Sequence, residues 1–217
     1  MEAEIKDQLV KTGTTTVGIV CKDGVVIAAD KRSSAGHMVA NKKQKKLVIV
    51  NERVVLAQAG LVSDAQLLSK LLRAEIKLKD MRTGRITTVE EAANLLAGMT
   101  YSNFRRPSMF MSVVGFLLVG MDKYGPQLYN VGIDGSMVKE EDFASDGSGS
   151  IFALGVLETL YQKGMTVEEG VKLAIKAINA ALQRDVATGN GIDIAVVDKD
   201  GSRLHYTEEI PYLVRGK

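Results

Sequence analysis

The sequence predicts an α+β fold: a four-layer αββα sandwich in which two antiparallel sheets pack face to face with a helix pair outside each. Three observations predict it. Strand-like and helix-like segments come in runs (strands, two helices, strands, two helices, strands), which argues for segregated layers rather than alternating βαβ units. Each helical segment carries one apolar stripe, as a helix covering a sheet must. The 217 residues suffice for one domain with a substantial core, and no internal repeat, low-complexity segment or interdomain linker divides them.

The elements follow in order. Residues 1–13 have weak periodicity and precede the first convincing strand. Thr14 to Cys21 and Val25 to Asp30 are rich in β-branched residues, with Lys22-Asp23-Gly24 as a hairpin turn between them. The length of that turn decides which side chains share a face. A two-residue Asp-Gly loop pairs Asp30 with Val17; a three-residue loop with Gly24 in the left-handed position pairs it with Thr16, on the face of Thr14. The bulged form is the expectation here. Strands follow at Lys46–Val50 and Val54–Ala59. A helix opens near Val62 and buries Ala65, Leu68, Leu72 and Ile76. A second opens on the capping box Thr88-Val89-Glu90-Glu91, whose hydroxyl and carboxylate satisfy orphan amides. A strand-rich block runs from Met111 to Ala144, punctuated by Tyr124-Gly125-Pro126 and Asp134-Gly135. The third helix starts around Gly149 and buries Ala153, Val156, Leu157 and Leu160. The fourth begins with a capping box at Thr166 and Glu169 and buries Val171, Ala174, Ile175, Ile178 and Leu182. Strands at Ile192–Asp198 and Arg203–Thr207 flank an Asp200-Gly201 turn.

Composition excludes several function classes. A net charge of +2, no Trp and three Pro give no electrostatic or stacking basis for nucleic acid, and none for a membrane surface. The one dense basic run is Lys42–Lys46. The most apolar stretch, Met109 to Met121, is interrupted by Gly115 and Gly120 and falls short of the roughly 18 residues of a span. Cys21 is alone, so no intrachain disulfide forms, and a reducing, cytoplasmic setting is expected. The N-terminus lacks the basic and apolar regions of a secretory signal.

The chemistry narrows by elimination. His37 and His205 stand in no metal-ligand spacing and no nucleophile-elbow context, and no phosphate-binding glycine loop of Walker or dinucleotide type occurs. No metal or cofactor is expected. Hydroxyls and amines remain. Gly13-Thr14-Thr15-Thr16-Val17-Gly18 places three threonines after a glycine, where a disposable leader meets a strand. Threonine strings are ordinary strand composition. A chain that begins at Thr14, however, carries nucleophile and base in one residue, since a free α-amine has a pKa of roughly 8 and can accept the hydroxyl proton. Gly13 suits a self-cleavage site because it lets the backbone approach closely.

Thr14-Thr15-Thr16-Val17-Gly18, Ala28-Ala29-Asp30-Lys31-Arg32, Lys45-Lys46-Leu47, Ala59-Gly60-Leu61-Val62-Ser63-Asp64-Ala65, Gly147-Ser148-Gly149-Ser150 and Gln183-Arg184-Asp185 resemble, in the same order, the motifs of proteasome β-type subunits. The resemblance covers essentially everything after residue 13 and is nearest to archaeal β subunits of the 20S core. It implies the N-terminal nucleophile hydrolase fold and a threonine endopeptidase made as a zymogen, with residues 1–13 removed by self-cleavage and 14–217 forming the catalytic domain. It implies Thr14 as nucleophile, Lys46 beside it, Asp30 paired with Lys46, the Gly60 amide as oxyanion donor, and Ser148 and Asp185 holding the terminal amine. Thr188 stands where the family commonly has Ser, keeping the hydroxyl. A side-chain pocket is implied at Ser33, Ser34, Gln44, Val48, Gln58, Val62 and Gln66, with Gln58 where related subunits are apolar. The implied partners are other β subunits in a seven-membered ring, α-subunit rings, a gating ATPase acting through the α ring, and unfolded polypeptide as substrate. A ring subunit that keeps its leader until a partner triggers processing is the alternative.

Overall fold

The structure, a computed structural model, describes residues 13–107 and 112–210. The leader up to residue 12 and the expected strand start at Met111 lie outside the described residues. One five-stranded antiparallel sheet has the order β10-β1-β2-β11-β12, from β1 (Thr16–Cys21), β2 (Gly24–Asp30), β10 (Phe143–Asp146), β11 (Gly191–Asp198) and β12 (Gly201–Glu209). The other has the order β5-β6-β7-β8-β9, from β5 (Leu47–Asn51), β6 (Val54–Gly60), β7 (Val114–Asp122), β8 (Gly125–Val131) and β9 (Met137–Glu140). A short hairpin of β3 (Ser33–Ala35) and β4 (Met38–Asn41) stands apart.

Both central sheets are covered on both faces, so their strands are apolar on both faces. In β2, Val25 and Ile27 enter the layer between the sheets while Val26 and Ala28 face the helices; in β6, Val55 and Ala57 point inward while Val54 and Leu56 point out. Helices α1 (Val62–Thr83) and α2 (Val89–Phe104) cover the second sheet, and α3 (Ser150–Leu160) and α4 (Val167–Arg184) the first. The αββα sandwich is therefore present among the described residues. No helix there is long and apolar enough to cross a membrane.

The caps form as the sequence reads. Thr88 accepts from the Glu91 amide while Glu91 accepts from the Thr88 amide, and Thr166 and Glu169 repeat the exchange. The buried α1 stripe holds Ala65, Leu68, Leu72 and Ile76, with Ser69 added. Two helical expectations shift. In α3 only Ala153 and Leu157 are buried, Val156 is half-buried, and Leu160 is 44% exposed. The helix ends there, and Tyr161 turns inward instead, meeting Phe143 edge-on with ring centroids 5.2 Å apart. In α4, Ile175 and Leu182 are half-buried and the stripe widens to Leu173, Ala177 and Ala181, because this helix packs on both the sheet and α3.

The first hairpin also differs from expectation. Cys21 pairs with Gly24 and Thr16 with Ala29, so the loop is the two residues Lys22-Asp23, and Gly24 is not left-handed. Asp30 therefore stands opposite Thr15, its amide donating to the Thr15 carbonyl at 3.2 Å, and not opposite Thr16. The physical reason is distant in sequence. Asp23 accepts the Val167 amide at 2.8 Å and the Lys22 amide donates to the Met165 carbonyl, which anchors the turn on the start of α4.

The antiparallel arrangement brings one set of strand ends together. The starts of β1, β5 and β11 and the ends of β2, β6 and β10 lie at the same end of the sandwich, as the pairings Thr16 with Asp146, Ile192 with Asp30 and Leu47 with Ala57 require. Both α1 and α3 begin there and α4 ends there.

Replacing Thr166 by Ala removes one half of a capping box. It is expected to lower stability by about 1 kcal/mol, read as a fall in the denaturant midpoint with unchanged slope.

Candidate active site

Lys46 is the one lysine of the basic run that turns inward; Lys42, Lys43 and Lys45 are exposed, whereas Lys46 is 4% exposed. Its carbonyl accepts from the Gln58 amide at 3.1 Å, which fixes the chain at the entry to β5. Its ammonium donates to Asp30 Oδ1 at 2.7 Å and to the Gly13 carbonyl at 3.2 Å. Burial pushes the Lys46 ammonium below the usual lysine range, against the opposing pull of Asp30.

Asp30 is fully buried, and four donors meet its carboxylate. Oδ1 accepts from Lys46 and from the Thr15 amide at 2.9 Å; Oδ2 accepts from the Arg32 and Gly189 amides, each at 3.0 Å. A carboxylate removed from water persists only when its lone pairs are met in this way. Although the register puts Asp30 opposite Thr15, its position at the strand end lets the carboxylate reach Lys46.

The Thr14 hydroxyl donates to the Gly13 carbonyl at 2.7 Å, the same oxygen that Lys46 contacts. The Thr14 amide donates to Ser148 Oγ at 3.2 Å. Ser148 donates in turn to Asp185 Oδ2 at 2.6 Å, and Thr188 Oγ1 donates to the same oxygen at 2.5 Å. Thr188 also shares a hydrogen bond with Thr15 Oγ1 at 2.6 Å. The Gly147–Gly149 turn wraps the Thr14 carbonyl, which accepts from the Gly149 amide at 3.4 Å. At φ +97°, a Cβ on Gly147 would stand 2.2 Å from that carbonyl oxygen, so only glycine fits.

Gly60 ends β6 at φ +121°, where a Cβ would stand 2.1 Å from the Val113 carbonyl oxygen. It shares one small cavity with Gly13, Thr14, Ser33, Gln44, Lys46, Gln58 and Val62. Three residues expected with these do not line that cavity. Ser34 is buried in the β3–β4 hairpin, and Val48 and Gln66 lie on a separate cavity beyond Gln58. The side chain of Gln58 stands between the two cavities and lines both.

Three positions escaped the sequence reading. Arg32, noted only as part of a motif, donates to Asn190 Oδ1 at 2.8 Å and to the Val186 carbonyl at 2.7 Å, and so clamps the loop that carries Thr188 and Gly189. Asn190 adopts φ +63°, the left-handed region that asparagine tolerates, and the Thr-Gly-Asn-Gly string was the available signal. Thr15, beside the expected nucleophile, links Asp30 to Thr188.

The arrangement brings a hydroxyl, a carbonyl and a buried ion pair together. It sets a threonine Oγ against a carbonyl whose oxygen also faces a buried ammonium held by a buried carboxylate. His37 and His205 are exposed, and burial pushes the Cys21 thiol up to about 12. No group of side chains able to hold a metal ion occurs among the described residues.

The chain matches the family model described as Proteasome subunit over residues 10–197. It is 43% identical over 201 residues to a proteasome subunit beta of Archaeoglobus profundus, an alignment covering 93% of this chain and 91% of that one. The proteasome subunits beta of Methanocaldococcus fervens and Methanocaldococcus jannaschii are 44% and 43% identical over 202 residues, with 93% of this chain and 88% of theirs aligned. With its layered fold and the converging Thr14, Lys46 and Asp30, the chain belongs to the proteasome subunit family, as a member of the β type.

Proposed function

We propose that this chain is a proteolytic β subunit of a 20S core that cuts itself between Gly13 and Thr14 and then hydrolyses unfolded polypeptides with the Thr14 hydroxyl. The observation that carries the reading is the shared carbonyl: Gly13 O accepts from both Thr14 Oγ1 and Lys46 Nζ. For self-cleavage, Thr14 Oγ adds to the Gly13 carbonyl carbon while Lys46 draws charge onto the oxygen. The C–N bond breaks as the C–O bond forms, and the hydroxyl proton ends on the Thr14 nitrogen. Water then hydrolyses the ester, releasing residues 1–13 and leaving a free Thr14 amine.

In the processed enzyme the same hydroxyl attacks a substrate carbonyl. Its proton passes through a water to the α-amine, whose pKa of roughly 8 suits a base near neutrality. The Gly60 amide is the oxyanion donor in this reading, and Ser148 with Asp185 orients the amine that its oxygen already contacts as an amide. Thr188 supports Asp185 with the hydroxyl that serine would supply. The surrounding assembly in this reading is a seven-membered β ring between α rings, fed by an ATPase and placed in the cytoplasm, where enclosure keeps a broad protease from other proteins.

A second reading, a latent subunit that waits for a partner, is favoured by one observation. Gly13 lines the same cavity as Ser33, Gln44 and Gln58, so in the uncut chain the residue before Thr14 stands in the place of substrate.

Intact mass after co-assembly with α subunits is expected to show loss of residues 1–13 in the wild type and an uncut chain in Thr14→Ala. An uncut wild type would leave the latent reading. Lys46→Ala is expected to lower both self-cleavage and peptide turnover by about 100-fold or more, measured by single-turnover processing and kcat/KM. Gln58→Leu removes a buried carboxamide from the pocket wall and is expected to raise kcat/KM several-fold on peptides with Leu or Phe before the cut; an unchanged value contradicts the assigned role of Gln58.

A further inference from the structure

Asp146 ends β10 at the Thr14 end of the sandwich, a half-buried carboxylate to which the reaction described above gives no role. It pairs with Thr16 across β1 and β10, on the face that carries Val20 and Ala144 into the layer between the sheets. One peptide group is held there at both ends. The Asp146 carbonyl accepts from Thr16 Oγ1 at 3.2 Å, and the amide of the same peptide bond, that of Gly147, donates to Asp146 Oδ1 at 2.7 Å. That peptide launches the turn in which Gly147 is left-handed and Ser148 Oγ accepts from the Thr14 amide. A second glycine makes room for the carboxylate: a Cβ on Gly115 of β7 would stand 2.6 Å from Asp146 Oδ2 and 3.5 Å from the Val131 carbonyl oxygen of β8. Burial pushes the Asp146 carboxyl above the usual aspartate range, against the pull of the Gly147 amide. Thr16, Gly115, Val131 and Gly147, the residues set around it from β1, β7, β8 and its own turn, carry no charged side chain. The charged groups nearer Thr14 are engaged with one another or with the turn: Lys46 with Asp30, Arg32 with the Val186 carbonyl, and Asp185 with Ser148.

We propose that Asp146 is a positioning residue: its ionised carboxylate pins the Gly147 peptide and, through that turn, sets Ser148 against the Thr14 nitrogen. The inference rests on the reading of Thr14 as nucleophile and deepens it. In both proposed steps that nitrogen changes state. It turns from amide to amine as the leader leaves, and it takes and returns a proton during turnover, so its oxygen partner has to stay in place through each. An anionic acceptor holds an amide about twice as strongly as a neutral one. Protonation of Asp146 therefore slackens the Gly147 peptide and lets Ser148 drift. Because burial raises this carboxyl, the folded chain binds the proton more tightly than the unfolded chain, and the ionised group opposes folding at neutral pH. The carboxylate thus lowers stability while it orders the turn, which a group kept for structure alone would not do.

Self-cleavage is the step to follow first, because the uncut chain has no free Thr14 amine to titrate. Single-turnover processing is read by intact mass across pH in particles assembled with α subunits. The wild type is expected to show an acid limb that Asp146→Asn lacks, with the variant about fivefold slower at neutral pH. Once processed, Asp146→Asn is expected to lose kcat on peptides with KM retained, and to unfold at an unchanged or higher denaturant midpoint. Gly115→Ala drives a Cβ against Oδ2 and is expected to slow processing in the wild type, yet to add nothing in Asp146→Ala, where the opposing oxygen is gone. A wild-type rate in Asp146→Asn overturns the proposal. So does an acid limb that persists in that variant, which then belongs to Asp30 or Asp185, and so does a midpoint that falls in step with the rate. An additive effect of Gly115→Ala overturns it as well. Hydrogen exchange at the Gly147 amide of the uncut Thr14→Ala chain separates this inference from the one beneath it. Protection that falls on acidification with Asp146 present, and not with Asp146→Asn, supports the pinned turn; if the wild type then never cleaves, the peptidase reading alone is removed. Protection unchanged across pH removes the role of Asp146.

Discussion

The candidate site depends on one buried contact, Asp30 Oδ1 to Lys46 Nζ at 2.7 Å, with side chains 0% and 4% exposed. Two charges removed from water are costly, and loss of one partner from such a pair typically costs about 3–5 kcal/mol because the other is left uncompensated. Here the cost is spread over a backbone framework. Asp30 accepts amides from the start of β1, from Arg32 and from the loop before β11, while Lys46 belongs to the opposite sheet. The carboxylate thus ties both sheets together at the end where the hydroxyl sits, and the lysine head is aimed by contacts that Thr14 does not make.

Around that contact, adjacent residues have separate duties. Asp30 holds Lys46; Lys31 reaches Asp193 and Thr207 on β11 and β12; Arg32 holds the loop of Val186 and Asn190. Three consecutive side chains at the end of β2 thereby fix the lysine, the wall of the rear cavity and the segment bearing Thr188. A one-residue slip of β2 against β1 would disturb all three, and the register is defended by Asp23 docking on α4 at the far end of the hairpin.

Much of this was legible in the sequence. Both capping boxes, the α1 stripe and the layered order are local patterns and appear where the residues place them. The hairpin register was not, because what selects a two-residue Lys22-Asp23 loop is the Val167 amide about 144 residues away, a partner that turn chemistry does not contain. The convergence of Thr14, Asp30, Lys46, Ser148 and Asp185 was legible through resemblance more than through pattern, since each alone is an ordinary strand or surface residue. Arg32 and Asn190 escaped because their roles lie in a loop conformation. Val48 and Gln66 were expected in one side-chain pocket with Ser33, Gln44 and Gln58; they line the cavity beyond Gln58 while Ser33 and Gln44 line the one beside Thr14.

The position of Gly13 has a kinetic consequence. Its carbonyl is one bond from Thr14 and already shares hydrogen bonds with both the hydroxyl and Lys46. Under the proposed cleavage, the first acyl group the site transfers is covalently part of it, so maturation is first-order and unaffected by dilution. Any dependence of its rate on protein concentration then measures the encounter of subunits, not the chemistry. The chain would report its own assembly in the time course of its activation.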